Sequence, residues 1–144
     1  MKRGELTLNR DYEEVGRFFR NAWITGVHQY FPGTPKPGYI SLWEEMEQWE
    51  RDSAIAAYKH TEAFILAGVQ QGRYVSRLTE EQGGRLVCMI WVDQMRIHFG
   101  DSKPSYLSPW EDLPAWQQKV DVSIFGAIQS KVLQEVGTGG TLST

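Results

Sequence analysis

The sequence predicts an all-α fold: two tandem helical-hairpin repeats, about four main helices, packed on a shared core. Three observations carry this. The six tryptophans fall into three matched pairs, Trp23/Trp91, Trp43/Trp110 and Trp49/Trp116, each pair 67 or 68 residues apart, which marks a tandem duplication. Apolar residues recur at helical spacing in four segments. Capping signals open these segments, and Pro/Gly-rich loops separate the members of each pair.

The repeat is visible beyond the tryptophans. Pro37-Gly-Tyr39-Ile-Ser41-Leu-Trp43-Glu44-Glu45-Met46-Glu-Gln-Trp49 aligns with Pro104-Ser-Tyr106-Leu-Ser108-Pro-Trp110-Glu111-Asp112-Leu113-Pro-Ala-Trp116. Upstream, Gly16-Arg17 and Trp23 align with Gly84-Arg85 and Trp91, and Phe31 with Phe99. The repeats span residues 10–70 and 78–135. A unit this short needs its twin to complete a core. The two units are related by a pseudo-two-fold or by a pseudo-translation.

In chain order, Val15, Phe18, Phe19, Ala22, Trp23, Val27, Tyr30 and Phe31 trace the apolar face of a first helix, opened by the capping pattern Asp11-x-x-Glu14. It ends at Pro32-Gly33. A second helix is expected from Ser41, where Ser41-x-x-Glu44 reads as a capping box, with Trp43, Met46, Trp49, Ala57, Thr61, Phe64 and Ile65 on one face. Residues 70–77 connect the units without a strong period. Leu86, Val87, Ile90, Trp91, Met95, His98 and Phe99 repeat the first helix, opened by Thr79-x-x-Gln82 and ended at Gly100-Asp101. Residues 85–91 taken alone could be a buried strand; the match to residues 16–23 favours helix. Ser108-x-x-Glu111 opens the last helix, with Pro109 in its first position and Pro114 in its first turn. Its face is Trp110, Leu113, Trp116, Val120, Ile124, Ile128 and Val132. The tail, 136–144, is small and polar and is expected to be disordered.

Composition bounds the function. The chain has 144 residues, 41% of them hydrophobic and 23% charged, with a net charge of −3. That balance argues against a general nucleic-acid binder, which needs basic groups for phosphates. No apolar run is long enough for a membrane span, and the first residues do not resemble a secretory signal. The lone cysteine, Cys88, cannot form an intrachain disulfide and fits a cytoplasmic location. On the apolar pattern it reads as a buried structural thiol rather than a nucleophile.

The unit resembles the ryanodine-receptor (RyR) domain family, and more closely the small RyR-domain proteins of bacteriophages and their hosts. The resemblance lies in a helix, a Pro-containing loop and the run Ser108-Pro-Trp110-Glu111-Asp112-Leu-Pro114-Ala-Trp116-Gln117. The first copy adds Trp49-Glu-Arg51-Asp-Ser53-Ala54-Ile55, similar to a run those proteins carry, but has Glu47 in place of the proline. The resemblance implies an α-helical, non-catalytic module for a ligand or partner, of a kind suspected of sensing nucleotide-like small molecules.

The site candidates come from the residues. The loops Thr34-Pro-Lys36-Pro-Gly-Tyr39 and Ser102-Lys103-Pro-Ser105-Tyr106 each place a lysine, a tyrosine and a serine before a helix N-terminus, a setting that suits an anion. The plain alternative is a Pro-stiffened connection whose tyrosine packs on the neighbouring tryptophan. Trp23, Trp49, Trp91 and Trp116 read as core, whereas Trp43 and Trp110, beside the loops, are placed to line a site. The acidic pairs Glu44/Glu45 and Glu111/Asp112 read as helix-start acids. His28, His60 and His98 lack a metal-ligand spacing, and no nucleotide or hydrolase motif is present.

The expected function is thus a non-enzymatic binding module for a small anionic, nucleotide-derived ligand, with no catalytic residues, metal or cofactor. Lys36 and Lys103 meet the anion, Tyr39 and Tyr106 position it, and Trp43 and Trp110 stack on it. The site lies at the loop-to-helix junctions or at the seam between the copies. The alternative is a protein–protein or structural module, such as a homodimer. A ligand site predicts a concave surface lined by matched residues of both copies; a partner site predicts an exposed apolar patch.

Overall fold

The computed structural model of the chain describes residues 11–70, 73–74 and 78–137. Four helices dominate: α1 (Tyr12–Tyr30), α2 (Gln48–Ala67), α3 (Glu80–Phe99) and α4 (Ala115–Gly137). Between α2 and α3 two short antiparallel strands, Val69–Gln70 and Arg73–Tyr74, pair Val69 with Tyr74. The fold is all-α, two helical hairpins on one core. Val136 and Gly137 belong to the end of α4; the rest of the expected tail, 138–144, lies outside the described residues.

Local chemistry sets the first helix of each repeat. The Asp11 carboxylate accepts from the backbone N–H groups of Glu13 and Glu14 at 3.0 and 3.3 Å, satisfying donors that the helix leaves orphaned. Thr79 and Gln82 form the reciprocal box, at 3.1 and 2.8 Å.

The second helices begin later than the sequence predicts. Ser41 and Ser108 do not cap them. The segments Trp43–Glu45 and Trp110–Asp112 form single 3₁₀ turns, and the backbone then extends before the helix starts. In the second repeat Pro114 is the cause: it disfavours helical backbone at the residue before it, and Leu113 takes ψ 141°. In the first repeat Glu47 achieves the same break with a capping box, its N–H donating to the Glu50 carboxylate at 3.2 Å. The shift also changes the buried face of α2, which runs through Ala54, Ala57, Tyr58, Thr61 and Ile65. Phe64, one position off that line, is 39% exposed.

A matched clasp ties each 3₁₀ turn to the first helix of its own repeat. Gly16 and Gly84 carry no side chain because the rings of Trp43 and Trp110 press there; a Cβ would lie 2.4 Å from Trp43 and 2.7 Å from Trp110. Arg17 covers Trp43 and pairs with Glu44 and Glu13; Arg85 covers Trp110 and pairs with Glu111 and Glu81. These hydrogen bonds raise both arginines and hold Glu44 and Glu111 below the usual carboxylate range. The carbonyl of each clasp tryptophan accepts from matched residues of the following helix, Arg51 at 3.1 Å and Gln118 at 2.8 Å.

The hairpins pack reciprocally: α1 on α4, and α2 on α3. Reciprocal contact identifies a pseudo-two-fold relation and settles the open choice against a translation. A single core draws Val15 and Phe19, Ala57 and Ile65, Val87 and Ile90, and Val120, Ile124, Ile128 and Val132 from the four helices. No helix among the described residues is long and apolar enough to cross a membrane.

Candidate functional site

The two-fold axis runs through a cleft of about 510 Å³ walled by all four helices and by the loop within each hairpin. Its sides are aromatic and matched. Trp23 and Trp91, Tyr39 and Tyr106, and Trp49 and Trp116 all line it. Each aromatic cluster is shared between the repeats. Trp116 of the second repeat packs on Phe31 at 4.9 Å and on Tyr39 at 5.8 Å of the first. Trp49 of the first packs on Phe99 at 4.8 Å and on Tyr106 at 6.3 Å of the second. Neither half of the cleft is complete without the other repeat. Aromatic walls with few polar groups are the usual build of a small-molecule site.

The polar groups are fewer and do not match. Arg20 of α1 is buried. Its Nε donates to the Ser41 carbonyl at 3.0 Å, and its Nη2 to the Gly38 carbonyl and Ser41 Oγ, each at 3.1 Å. Its Nη1 has no hydrogen-bond partner among the described residues. Burial lowers the Arg20 pKa, and Glu50, also in the cleft wall, opposes that.

Asp121 of α4 lines the opposite half. It is only 7% exposed, and no donor among the described residues reaches its carboxyl. Burial alone pushes it up to about 8, because a charge in low dielectric without a partner is costly. Cys88 sits in the same wall. Burial first, then Asp121 and Glu111, push its thiol up to about 11, which suits an unreactive buried thiol.

The predicted site residues are divided by the fold. Tyr39 and Tyr106 are brought together across the cleft. Lys36 lies over the Tyr39 ring, 5.8 Å from its centroid, and is itself outside the cleft lining. Trp43 and Trp110 are held in the clasps on Gly16 and Gly84, and neither lines the cleft. Lys103 precedes the 3₁₀ turn Pro104–Leu107 and is likewise outside its lining. Trp23, Trp49, Trp91 and Trp116, read as core, form its walls. Arg20 and Asp121 were not among the candidates. A signal existed: Asp121 interrupts the apolar line Val120, Ile124, Ile128, and a charged residue on a buried face needs a partner or a purpose.

A second depression, between α2 and α3, is more open. Phe64 and Ile97 line it, and Met89 and Ile97 are 56% and 70% exposed. No group of three His, Cys, Asp or Glu side chains among the described residues is placed to hold a metal ion. Comparison of the chain with protein-family models, with curated proteins and with solved structures finds no match.

Proposed function

We propose that the chain is a non-enzymatic module that binds a small, anionic, nucleotide-derived ligand in the central cleft. The observation that carries this reading is the cleft on the duplication axis: matched tryptophans and tyrosines from both repeats surround it, with Arg20 and Asp121 as its buried polar ends. A flat base fits between such walls, since every base offers a π-face to an aromatic ring. Arg20 has an Nη1 to offer an anion, and Lys36, outside the lining, stands over the Tyr39 ring. The RyR resemblance belongs to this proposal. The residues that carry it, Trp110, Glu111 and Pro114 in one copy and Trp49 and Arg51 in the other, are structural parts of the clasp and the wall.

A thermal-shift screen with mono-, di- and cyclic nucleotides and ADP-ribose tests the reading. A ligand specific to the native state adds about 2.7 kcal/mol at a hundredfold excess over Kd, a shift of several degrees for a chain of this size. The expected result is a hit that Trp91→Ala removes while its circular dichroism stays helical. A flat response across the panel overturns the proposal. The partner reading then gains ground, with the exposed apolar strip of Phe64, Met89 and Ile97 as its surface.

A further inference from the structure

Duplication allows the two halves of the cleft to be compared position by position. In the first half the Arg20 guanidinium is seated on the Ser41 carbonyl, the Gly38 carbonyl and Ser41 Oγ. The second repeat keeps the same cradle: Ser108 Oγ donates to the Ser105 carbonyl at 3.3 Å, as Ser41 Oγ does to the Gly38 carbonyl at 3.3 Å. Among the described residues no guanidinium enters it. The residue matched to Arg20 is Cys88, whose Sγ lies 3.9 Å from the Ser108 carbonyl. A thiol is a weak donor and far shorter than an arginine side chain.

The acid side is reversed. Ala54 of the first repeat is matched by Asp121 in the second, and Glu50 by Gln117. The first half therefore has a cation with Glu50 nearby, and the second has a buried carboxyl lining the cleft that has no hydrogen-bond partner among the described residues. Trp91 adds to the imbalance. Its counterpart Trp23 donates Nε1–H to the Tyr39 carbonyl at 2.8 Å, while Trp91 Nε1 has no hydrogen-bond partner among the described residues. The second half thus keeps the carbonyls of the cradle without the planar donor, beside one indole N–H that is free among the described residues.

We infer that this half receives a guanidine-type group, a flat N–C–N fork of N–H donors carried by the ligand, in the volume that the Arg20 side chain fills in the first half. The inference rests on the proposed ligand-binding role of the same cleft. Asp121, whose proton burial otherwise retains, is ionised when the fork binds: the proton leaves to solvent, the carboxylate accepts two parallel hydrogen bonds from the guanidine-type group, and the plane of that group lies well against aromatic walls. Two sources carry this chemistry. One is a free guanidinium compound. The other is the N1–H and N2–H2 edge of guanine, so that under the nucleotide reading the base is guanine. Against the ionised carboxylate adenine turns a ring lone pair, and hypoxanthine lacks the second donor. A site built to bond a donor rejects analogues without it.

Calorimetric titration of the full chain and of Asp121→Asn with GMP, IMP, AMP and agmatine tests this. The expected result is binding of GMP, agmatine or both, at least about tenfold tighter than IMP and AMP, with the preference lost in Asp121→Asn. GMP alone identifies the base edge; agmatine alone identifies the free guanidinium and overturns the nucleotide reading. Equal binding of the three nucleotides, unchanged in Asp121→Asn, overturns the guanidine assignment and leaves the binding module standing. Binding of none of the four overturns the guanidine assignment, while the binding module stands or falls on the thermal-shift panel. A second variant needs no ligand: Cys88→Arg restores the arginine of the first repeat. Its melting temperature should rise by several degrees, and the gain should vanish when Asp121→Asn is added. A fall in place of the rise overturns the inference.

Discussion

Asp121 makes stability depend on pH in a direction opposite to most carboxylates. Its folded-state value is raised from 3.8 to about 8 by burial, and the unfolded chain restores the ordinary value near 3.9. Between these values the folded state holds a proton that the unfolded state has released. Stability therefore falls as pH rises, by about 1.4 kcal/mol for each pH unit. From pH 5 to pH 7 the loss from this one group is about 2.7 kcal/mol, roughly 10 °C in Tm for a chain of this length. The groups that share its wall are Cys88 on α3, Arg20 on α1, Glu50 on α2 and Asp112 in the second loop. Cys88 stays protonated throughout this window and Arg20 stays charged. The assay is urea denaturation followed by circular dichroism at pH 5, 6 and 7, for the native sequence and for Asp121→Asn. An amide of the same shape cannot ionise, so the variant should lack this part of the pH slope, whatever its absolute stability. Parallel slopes for the two proteins would refute the reasoning, since they would mean that the carboxyl is ionised and stabilised in the fold.

Three further outcomes follow from the packing. Gly84→Ala places a Cβ 2.7 Å from Trp110 and Val122; overpacking of this kind costs about 1–3 kcal/mol, and Gly16→Ala should behave alike, both read as a lower urea midpoint. Ile128→Ala, at a fully buried position, should cost about 2–5 kcal/mol in the same assay, and a loss under 1 kcal/mol would refute its place in the core. The Cys88 thiol, buried and pushed up to about 11, should react with a chromogenic disulfide at pH 8 far more slowly in the native protein than in urea; equal rates would show it to be open to solvent.

Legibility in the sequence followed the range of the forces involved. The repeat, the four helices and the caps at Asp11 and Thr79 rest on spacing and near neighbours, and these were readable. The start of the second helices was not. Ser41-x-x-Glu44 has the form of a capping box, but Ser41 is engaged by Arg20 from a helix 21 residues earlier, and Glu45 rather than Glu44 returns to the backbone, accepting from Leu42 N–H at 2.9 Å. The clasp residues misled for a related reason. A tryptophan beside a variable loop looks accessible until the glycine that receives its ring is identified, and Gly16 lies 27 positions from Trp43. The tyrosines of the same loops did reach the cleft, each held in a Pro-initiated 3₁₀ turn, Pro37–Tyr39 and Pro104–Leu107.

The cleft itself follows from the symmetry operation, which no linear pattern states. A two-fold puts matched positions opposite one another, so Trp49 and Trp116 each cross to the other repeat's phenylalanine and tyrosine. It also explains where chemistry can arise in a duplicated protein. Positions that must fit their own repeat stay paired, as Gly16/Gly84, Arg17/Arg85 and Glu44/Glu111 do. Positions facing the axis meet their counterpart or the space between, and only there does a difference between copies create polarity. Arg20 against Cys88 and Ala54 against Asp121 are such differences. Together they turn a symmetric aromatic box into one with a cation fixed in one half and a buried acid, without a partner among the described residues, in the other. A ligand that is itself unsymmetrical, with an N–H fork at one end and negative charge at the other, can bind such a box in one orientation only.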